Sequence, residues 1–221
     1  ESFVVGLDKG TGGNIWKINR PKSANWTTAT VHKSKSGKER VFLQSGQGIH
    51  AIDPNSGKII WHYSDGASTI PSSALLGNML YVPSQGLTAL ELSKDGKSFK
   101  QKWRSSRLRP GTASPLAYRN HIYSLNNAGV LACADIDSGK RLWQLRLDGP
   151  FGGSPVVADN HLYVFSEEGL AQVVDLTAPE GAISGKMDLG EMIQCSPALA
   201  NGALYVRSNL RIWKIAKKTS F

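Results

Sequence analysis

Short apolar, β-prone runs alternate with clusters of Gly, Asn, Asp and Ser along the whole chain. One stretch shows the grammar in full. Ser154-Pro155-Val156-Val157-Ala158 meets the polar pair Asp159-Asn160, and His161 to Phe165 then alternates up to Ser166-Glu167-Glu168-Gly169. Leu170 to Asp175 follows, and after a longer polar segment comes Ile183 to Leu189. Runs of this length, bounded by turn residues every 8–12 positions, predict short antiparallel strands joined by hairpins. No segment holds an apolar period of 3.6 residues, which argues against a helical solenoid.

The strand pattern recurs. Tyr81, Tyr123, Tyr163 and Tyr205 stand 42, 40 and 42 residues apart, and nine residues before each lies a serine: Ser72, Ser114, Ser154 and Ser196. The last three serines precede Pro115, Pro155 and Pro197. Trp16, Trp61, Trp103 and Trp143 keep the same rhythm, with Met187 in the next slot. Four antiparallel strands per unit of about forty residues predict the blades of a β-propeller. The fold class is therefore all-β, a β-propeller with four-stranded antiparallel blades.

A second motif sits inside the repeat. Gly6-Leu7-Asp8 with Thr11-Gly12 and Trp16, Ala51-Ile52-Asp53 with Ser56-Gly57 and Trp61, and Cys133-Ala134-Asp135 with Ser138-Gly139 and Trp143 share one spacing. It predicts a tight hairpin between the third and fourth strands, its Asp and Ser/Thr side chains bonding turn amides and its Gly supplying a left-handed residue. The indole then covers apolar area between neighbouring blades, and its N–H needs an acceptor. Asp8, Trp16, Asp53, Trp61, Trp103, Asp135 and Trp143 are the expected blade-docking residues. In the third and fifth copies (Glu91 to Trp103, Asp175 to Met187) the hairpin reads as longer and the motif as decayed.

These residues resemble the quinoprotein-like propeller superfamily of PQQ-like repeats, across essentially the whole chain. Its members include pyrroloquinoline quinone (PQQ) dehydrogenases and the non-enzymatic BamB-like lipoproteins of outer-membrane barrel assembly. The resemblance specifies the fold and leaves activity open. It implies a seven- or eight-bladed ring, of which the chain supplies about five blades. Residues 1–221 are thus expected to be a single PQQ-like propeller domain, the C-terminal portion of a longer propeller whose remaining blades come from the same protein or another chain; the alternative is closure as an unusually small ring. The reading begins at a third strand (Phe3 to Asp8) and ends with Ser196–Ala200, Ala203–Val206 and Arg211–Ile215, a three-strand remnant.

Composition narrows the chemistry. The 26 Lys plus Arg against 17 Asp plus Glu give a net charge of +9, which favours anionic partners. No run approaches the ~18 apolar residues of a helical membrane span, which predicts a soluble chain, and Glu1 to Val5 reads as a strand rather than a signal peptide. Cys133 and Cys195 are too far apart for a CxxC pair; Cys133 fills the slot of Gly6 and Ala51 and reads as a small core side chain, as does Cys195. His121 and His161 sit in equivalent turns, and His32, His50 and His62 show no ligand spacing, so no metal site is expected.

Under the resemblance, a PQQ enzyme would need calcium, an Asp base and often adjacent cysteines. The strand two-to-three loops carry Gln47, Gln85, Asn126, Asn127, Glu167, Glu168 and Asn209. Calcium wants six to eight oxygens; Glu167 with Asn126 would supply two, and both are ordinary turn formers. The basic residues say more. Arg104, Arg107 and Arg109 crowd the third inter-blade loop, Arg20 and Lys22 lie in the first near Trp26, and Arg207 and Arg211 flank the last two-to-three loop. Sharing a face, they would form a positive rim with an aromatic anchor; the alternative is scattered solvated charge. Lys33, Lys35, Lys38 and Arg40 read as a solvated hairpin tip, and Asn25-Trp26-Thr27 is a formal glycosylation sequon. Basic residues interleaved with stacking aromatics are lacking, so nucleic acid is not the expected partner.

The expected function is a non-catalytic, periplasmic or secreted scaffold with no catalytic residues and no cofactor, presenting its loop face to a protein or anionic polymer. The alternative is a fragment of a PQQ- and calcium-dependent alcohol dehydrogenase.

Overall fold

The computed structural model describes residues 1–217, and these form strands, turns and loops with no helix. The chain divides into two compact units, 1–106 and 107–221. The first holds a two-stranded sheet, β1 (Phe3–Leu7) and β2 (Asn14–Asn19), and two four-stranded sheets. These are β3 (Thr30–Lys33), β4 (Glu39–Ser45), β5 (Gly48–Ile52) and β6 (Ile59–Tyr63), then β7 (Ala74–Leu76), β8 (Met79–Val82), β9 (Leu87–Leu92) and β10 (Phe99–Ser105). The second unit holds two further four-stranded sheets and a three-stranded one. They are β11 (Leu116–Tyr118), β12 (His121–Leu125), β13 (Val130–Asp135) and β14 (Arg141–Arg146); β15 (Val156–Ala158), β16 (His161–Phe165), β17 (Leu170–Asp175) and β18 (Ala182–Asp188); and β19 (Ala198–Ala200), β20 (Ala203–Arg207) and β21 (Ile212–Ala216). Every pairing is antiparallel between strands consecutive in sequence, so each sheet is a meander.

Local chemistry sets these hairpins. Asp159 and Asn160 both take positive φ (47° and 62°), the mirror-image turn whose twist suits a two-residue hairpin. Between the third and fourth strands, Asp8 Oδ1 accepts the N–H groups of Gly10 (3.1 Å) and Thr11 (2.8 Å) and the Thr11 hydroxyl (2.8 Å). Asp53 does the same for Asn55 and Ser56, and Asp135 for the Ser138 amide and hydroxyl.

The third and fifth copies depart from the sequence reading. Their connections, 93–98 and 176–181, are six residues long, the same as 53–58. The fourth strands are longer instead, β10 and β18 each reaching seven residues, and in the fifth copy Gly185 rather than Met187 stands opposite Val173, the third-strand position that faces tryptophan elsewhere. Asp175 still binds the Thr177 amide (2.8 Å) and hydroxyl (2.7 Å), so the fifth copy keeps its turn chemistry; in the third, Ser93 and Asp95 take over.

Each fourth-strand tryptophan faces a small residue across the pair: Gly6 for Trp16, Ala51 for Trp61, Ala89 for Trp103, Cys133 for Trp143. A Cβ on Gly6 would come within 2.3 Å of the Trp16 ring, which is why the slot admits so little. The pair sits beside a register shift in every such hairpin, a bulge that re-aims the side chain. Trp16 Nε1–H donates to Pro54 O at 2.7 Å, and Trp61 Nε1–H to Gly96 O at 3.1 Å, each acceptor being on the hairpin of the next sheet. Gly57 lies against the Trp16 ring at φ +70°, and a Cβ there would meet it at 2.7 Å. Gly181 covers Trp143 in the same way. Trp103 is buried on β10.

Arg40 is buried rather than solvated. It lies 3.9 Å from an Asp53 oxygen and donates to the carbonyls of Glu39 and Asp95, which ties β4 to the hairpin of the neighbouring sheet. Apolar layers fill the space between sheets: Phe42, Ile49, Leu80 and Leu90 with Trp61 and Phe99 in the first unit, and Tyr123, Leu131, Leu162 and Val174 with Trp143 in the second. The repeated serines have a physical role. The amide of Thr28 donates to Ser72 Oγ (2.9 Å), Ser114 to Ser154 Oγ (2.8 Å) and Ser154 to Ser196 Oγ (2.9 Å), so in these three cases the residue two before a first strand is hydrogen-bonded, through a hydroxyl, to the equivalent position of the next repeat.

The Ser138 hydroxyl and amide hold the Asp135 carboxyl below its ordinary value. A depressed carboxylate contributes stability above its unfolded value near ~4 and loses it as the pH falls through the folded value. Asp135→Asn is expected to lower stability at pH 7 by no more than about 1 kcal/mol, because the site is solvent-screened. Denaturant titration should show the difference from wild type closing toward pH 3; a constant offset at every pH would show that the carboxylate charge plays no part.

Candidate functional site

The antiparallel order places the strand two-to-three turns and the inter-sheet connections at the same end of each sheet. In the first unit this end is organised by Gln44 at the end of β4, a residue only 3% exposed. Its carbonyl accepts from Arg20 Nη2 (2.7 Å) and Asn25 Nδ2 (2.8 Å), and sits 3.4 Å from the Thr27 hydroxyl. Its side-chain N–H groups donate to Ser68 O (2.6 Å) and Pro71 O (2.8 Å), and Oε1 accepts from the Ser73 hydroxyl (2.7 Å). One buried residue therefore holds both connections, β2–β3 through its main-chain carbonyl and β6–β7 through its side-chain amide. Asn25 of the sequon has its amide nitrogen committed to this carbonyl.

The fixed connections carry exposed apolar side chains. Trp26 is 68% exposed while its backbone N–H is bonded to Thr69 O at 2.8 Å, and the adjacent Ile70 is 44% exposed. Trp26 and Ile70 each lie two residues before their repeat's Thr28 or Ser72, so they are equivalent positions in successive repeats. Beside them a cavity of about 290 Å³ opens against β1; Arg20 is its one charged wall residue, joined by Asn25, Thr27 and Gln44.

The arginines fall into two groups. Arg20 is half-buried and turned inward, and burial lowers its pKa. Arg104 is spent on internal partners: Asp65 Oδ2 at 2.6 Å, the Tyr63 hydroxyl at 2.8 Å, Thr88 Oγ1 at 3.0 Å and Gln85 Oε1 at 3.3 Å. The bond to Asp65 raises its pKa. In the second unit Arg211 pairs with Glu191 at 2.7 Å and lies over the Trp213 ring. Arg107, Arg109 and Arg207 are exposed. The second unit's loop end also shows apolar side chains, Met192 and Leu210, joined through the Asn209 amide and the Met192 carbonyl.

Two side chains that sequence spacing passed over meet here. His50 of β5 and His62 of β6 are directly opposite in register, with stacked rings 4.1 Å between centroids. Twelve residues apart in sequence, they become neighbours only through the hairpin.

The residues do not fit a calcium–quinone site. Asn126 Oδ1 is committed to the Val130 amide (2.9 Å), the two cysteines are not adjacent, and no three His, Cys, Asp or Glu converge among the described residues. Burial pushes the Cys133 thiol up to about 12, which leaves it a core side chain rather than a nucleophile. No described helix is long and apolar enough to cross a membrane.

Meandering four-stranded sheets, docked through fourth-strand indoles and carrying loops at one end, define a β-propeller of PQQ-like repeats, with about five blades represented. The family model described as "Outer membrane protein assembly factor BamB" matches residues 1–114, 95–184 and 127–219, and the chain belongs to this family. Among solved structures it is similar to BamB from Moraxella catarrhalis, at a TM-score of 0.77 and 16% identity over 100% of this chain. At that identity the likeness speaks for the fold, and the chain spans 66% of that protein's length. A comparison with curated protein sequences finds no significant match.

Gln44→Leu keeps the volume and strips three hydrogen bonds while leaving Ser68 O, Pro71 O and the Ser73 hydroxyl without their partner. Each such loss costs roughly 1 kcal/mol, so a destabilisation of about 2–4 kcal/mol is expected, with faster amide exchange at 64–73 and much less change at 20–29, whose anchor is the main-chain carbonyl that the substitution keeps. Unchanged exchange at 64–73 would contradict the account of the Gln44 side chain as the anchor of that connection.

Proposed function

We propose that the chain is part of a non-catalytic, envelope-located propeller scaffold whose loop end binds another protein, a component of outer-membrane protein assembly. The observation that carries this reading is Trp26: a large side chain 68% exposed on a connection that Gln44 and Thr69 hold in place. An exposed indole on a rigid support loses little conformational freedom on binding, and tryptophan is over-represented among residues that dominate interface energetics. Ile70 extends the apolar area, and Lys22 on the same connection favours an acidic surround in the partner.

The family's printed description supports assembly of outer-membrane proteins as the setting, and a periplasmic location is the one we propose from that setting. The arginine rim is weaker support for an anionic polymer, because Arg104 and Arg211 are neutralised by Asp65 and Glu191 and Arg20 points inward.

A photo-crosslinking residue at position 26 or 70, in cells carrying the envelope machinery, is expected to give a discrete adduct containing an outer-membrane assembly subunit. The same residue at 55 or 95, in the strand three-to-four hairpins at the other end of the first unit's sheets, should give none. Adducts confined to 55 and 95 would overturn the assignment of the binding end. A salt-sensitive adduct with polysaccharide or nucleic acid at 26 would replace the protein partner with a polyanion.

A further inference from the structure

The anchor of the Trp26 connection includes a histidine pair that no structural requirement of the repeat explains. Arg20 Nη1 lies 3.2 Å from His50 Nδ1. A guanidinium only donates, so His50 Nδ1 is the acceptor and the ring is neutral, with its proton on Nε2. His62 stacks on the His50 ring, and its Nε2 donates to Gln47 O at 3.2 Å.

Protonating His50 at Nδ1 would remove the acceptor and set two cations within contact distance. The charged groups that act on His50 are Arg20 from the β2–β3 connection and His62 from β6, and both are basic. From β4, the residue opposite is Leu43, and along β5 the neighbours are Ile49 and Ala51, all uncharged. Among the described residues, no carboxylate contributes to stabilising its charged form.

We infer that Arg20, His50 and His62 form an acid-released latch on the 20–29 connection, closed when His50 is neutral and opened by its protonation. Burial, then His62 and Arg20, hold the His50 pKa below the ordinary histidine value. A histidine depressed in the folded state contributes its contact above the unfolded value near ~6.5 and loses it as the pH falls through the folded value. Opening frees Arg20 from His50, leaves Gln44 O with Asn25 and Thr27 alone, and loosens the segment that presents Trp26. The latch controls partner binding only if the loop end is the binding site proposed above; the latch itself is read on the free chain, so the two can fail separately.

The test is an NMR titration of the chain from pH 8 to pH 5, following the His50 and His62 rings, the Trp26 indole N–H and the Asn25 side-chain amide. The Trp26 and Asn25 signals are expected to move with the His50 midpoint, and His50→Phe should abolish that movement. Arg20→Met reads the same coupling without touching the histidine and should raise the His50 midpoint by about half a pH unit or more. A flat Trp26 signal through the His50 transition, movement that persists in His50→Phe, or an unchanged His50 midpoint in Arg20→Met would each overturn the latch.

Discussion

A sheet of four strands, each three to seven residues long, cannot bury both of its faces by itself, and this constraint governs the whole chain. Each face must be covered by the next sheet. The device that fixes the distance and angle of that cover is the fourth-strand indole lying on the next hairpin. Trp16 reaches Pro54 O and rests on Gly57; Trp61 reaches Gly96 O and packs on Phe99 at 4.7 Å between centroids. The apolar ring excludes water from the seam, while its N–H satisfies a turn carbonyl that would otherwise need solvent. Small cross-strand residues, bulges, Asp-bonded turns and positive-φ glycines all follow from having to seat that ring.

With the sheets so fixed, the loop end can be built from polar side chains buried at the strand ends. Gln44 in one sheet and Gln172 in another each bond backbone groups of a neighbouring connection, Gln172 through the Asp148 amide and carbonyl. Such networks are rigid when every donor and acceptor is matched, and rigidity is what lets an exposed tryptophan stand on a loop. The acceptor at His50 makes one of these anchors dependent on protonation, so mechanical support and pH response share the same few atoms.

Much of the architecture was legible because it is periodic. The fifth copy reads as strands at 161–165 and 170–175, and β16 and β17 occupy those residues. Alternation and turn residues are local, and local signals survive in sequence. What was not legible depends on contacts between repeats. Arg40 reads as a solvated tip, yet a neighbouring hairpin closes over it; Arg104 reads as a rim cation, yet Asp65 and Tyr63 claim it from 39 and 41 residues away. Gln44 carries no motif at all, because its value lies in three backbone segments that meet only in the folded unit. The third and fifth copies read as longer hairpins without saying where the length goes, since residues that extend a fourth strand, as in β10 and β18, look in sequence like residues that lengthen the loop before it.

The seam itself is tested most directly by a double-mutant cycle on Trp61→Ala and Phe99→Ala, with stability read from equilibrium unfolding of the first unit's signal. The residues lie on adjacent sheets and meet only across the seam. A coupling of about 1–2 kcal/mol is predicted, as for packed aromatic pairs whose removal also exposes a hydrogen-bonded turn. Additivity within about 0.3 kcal/mol would contradict the account, since it would mean that the indole stabilises its own sheet and does not bind it to the next.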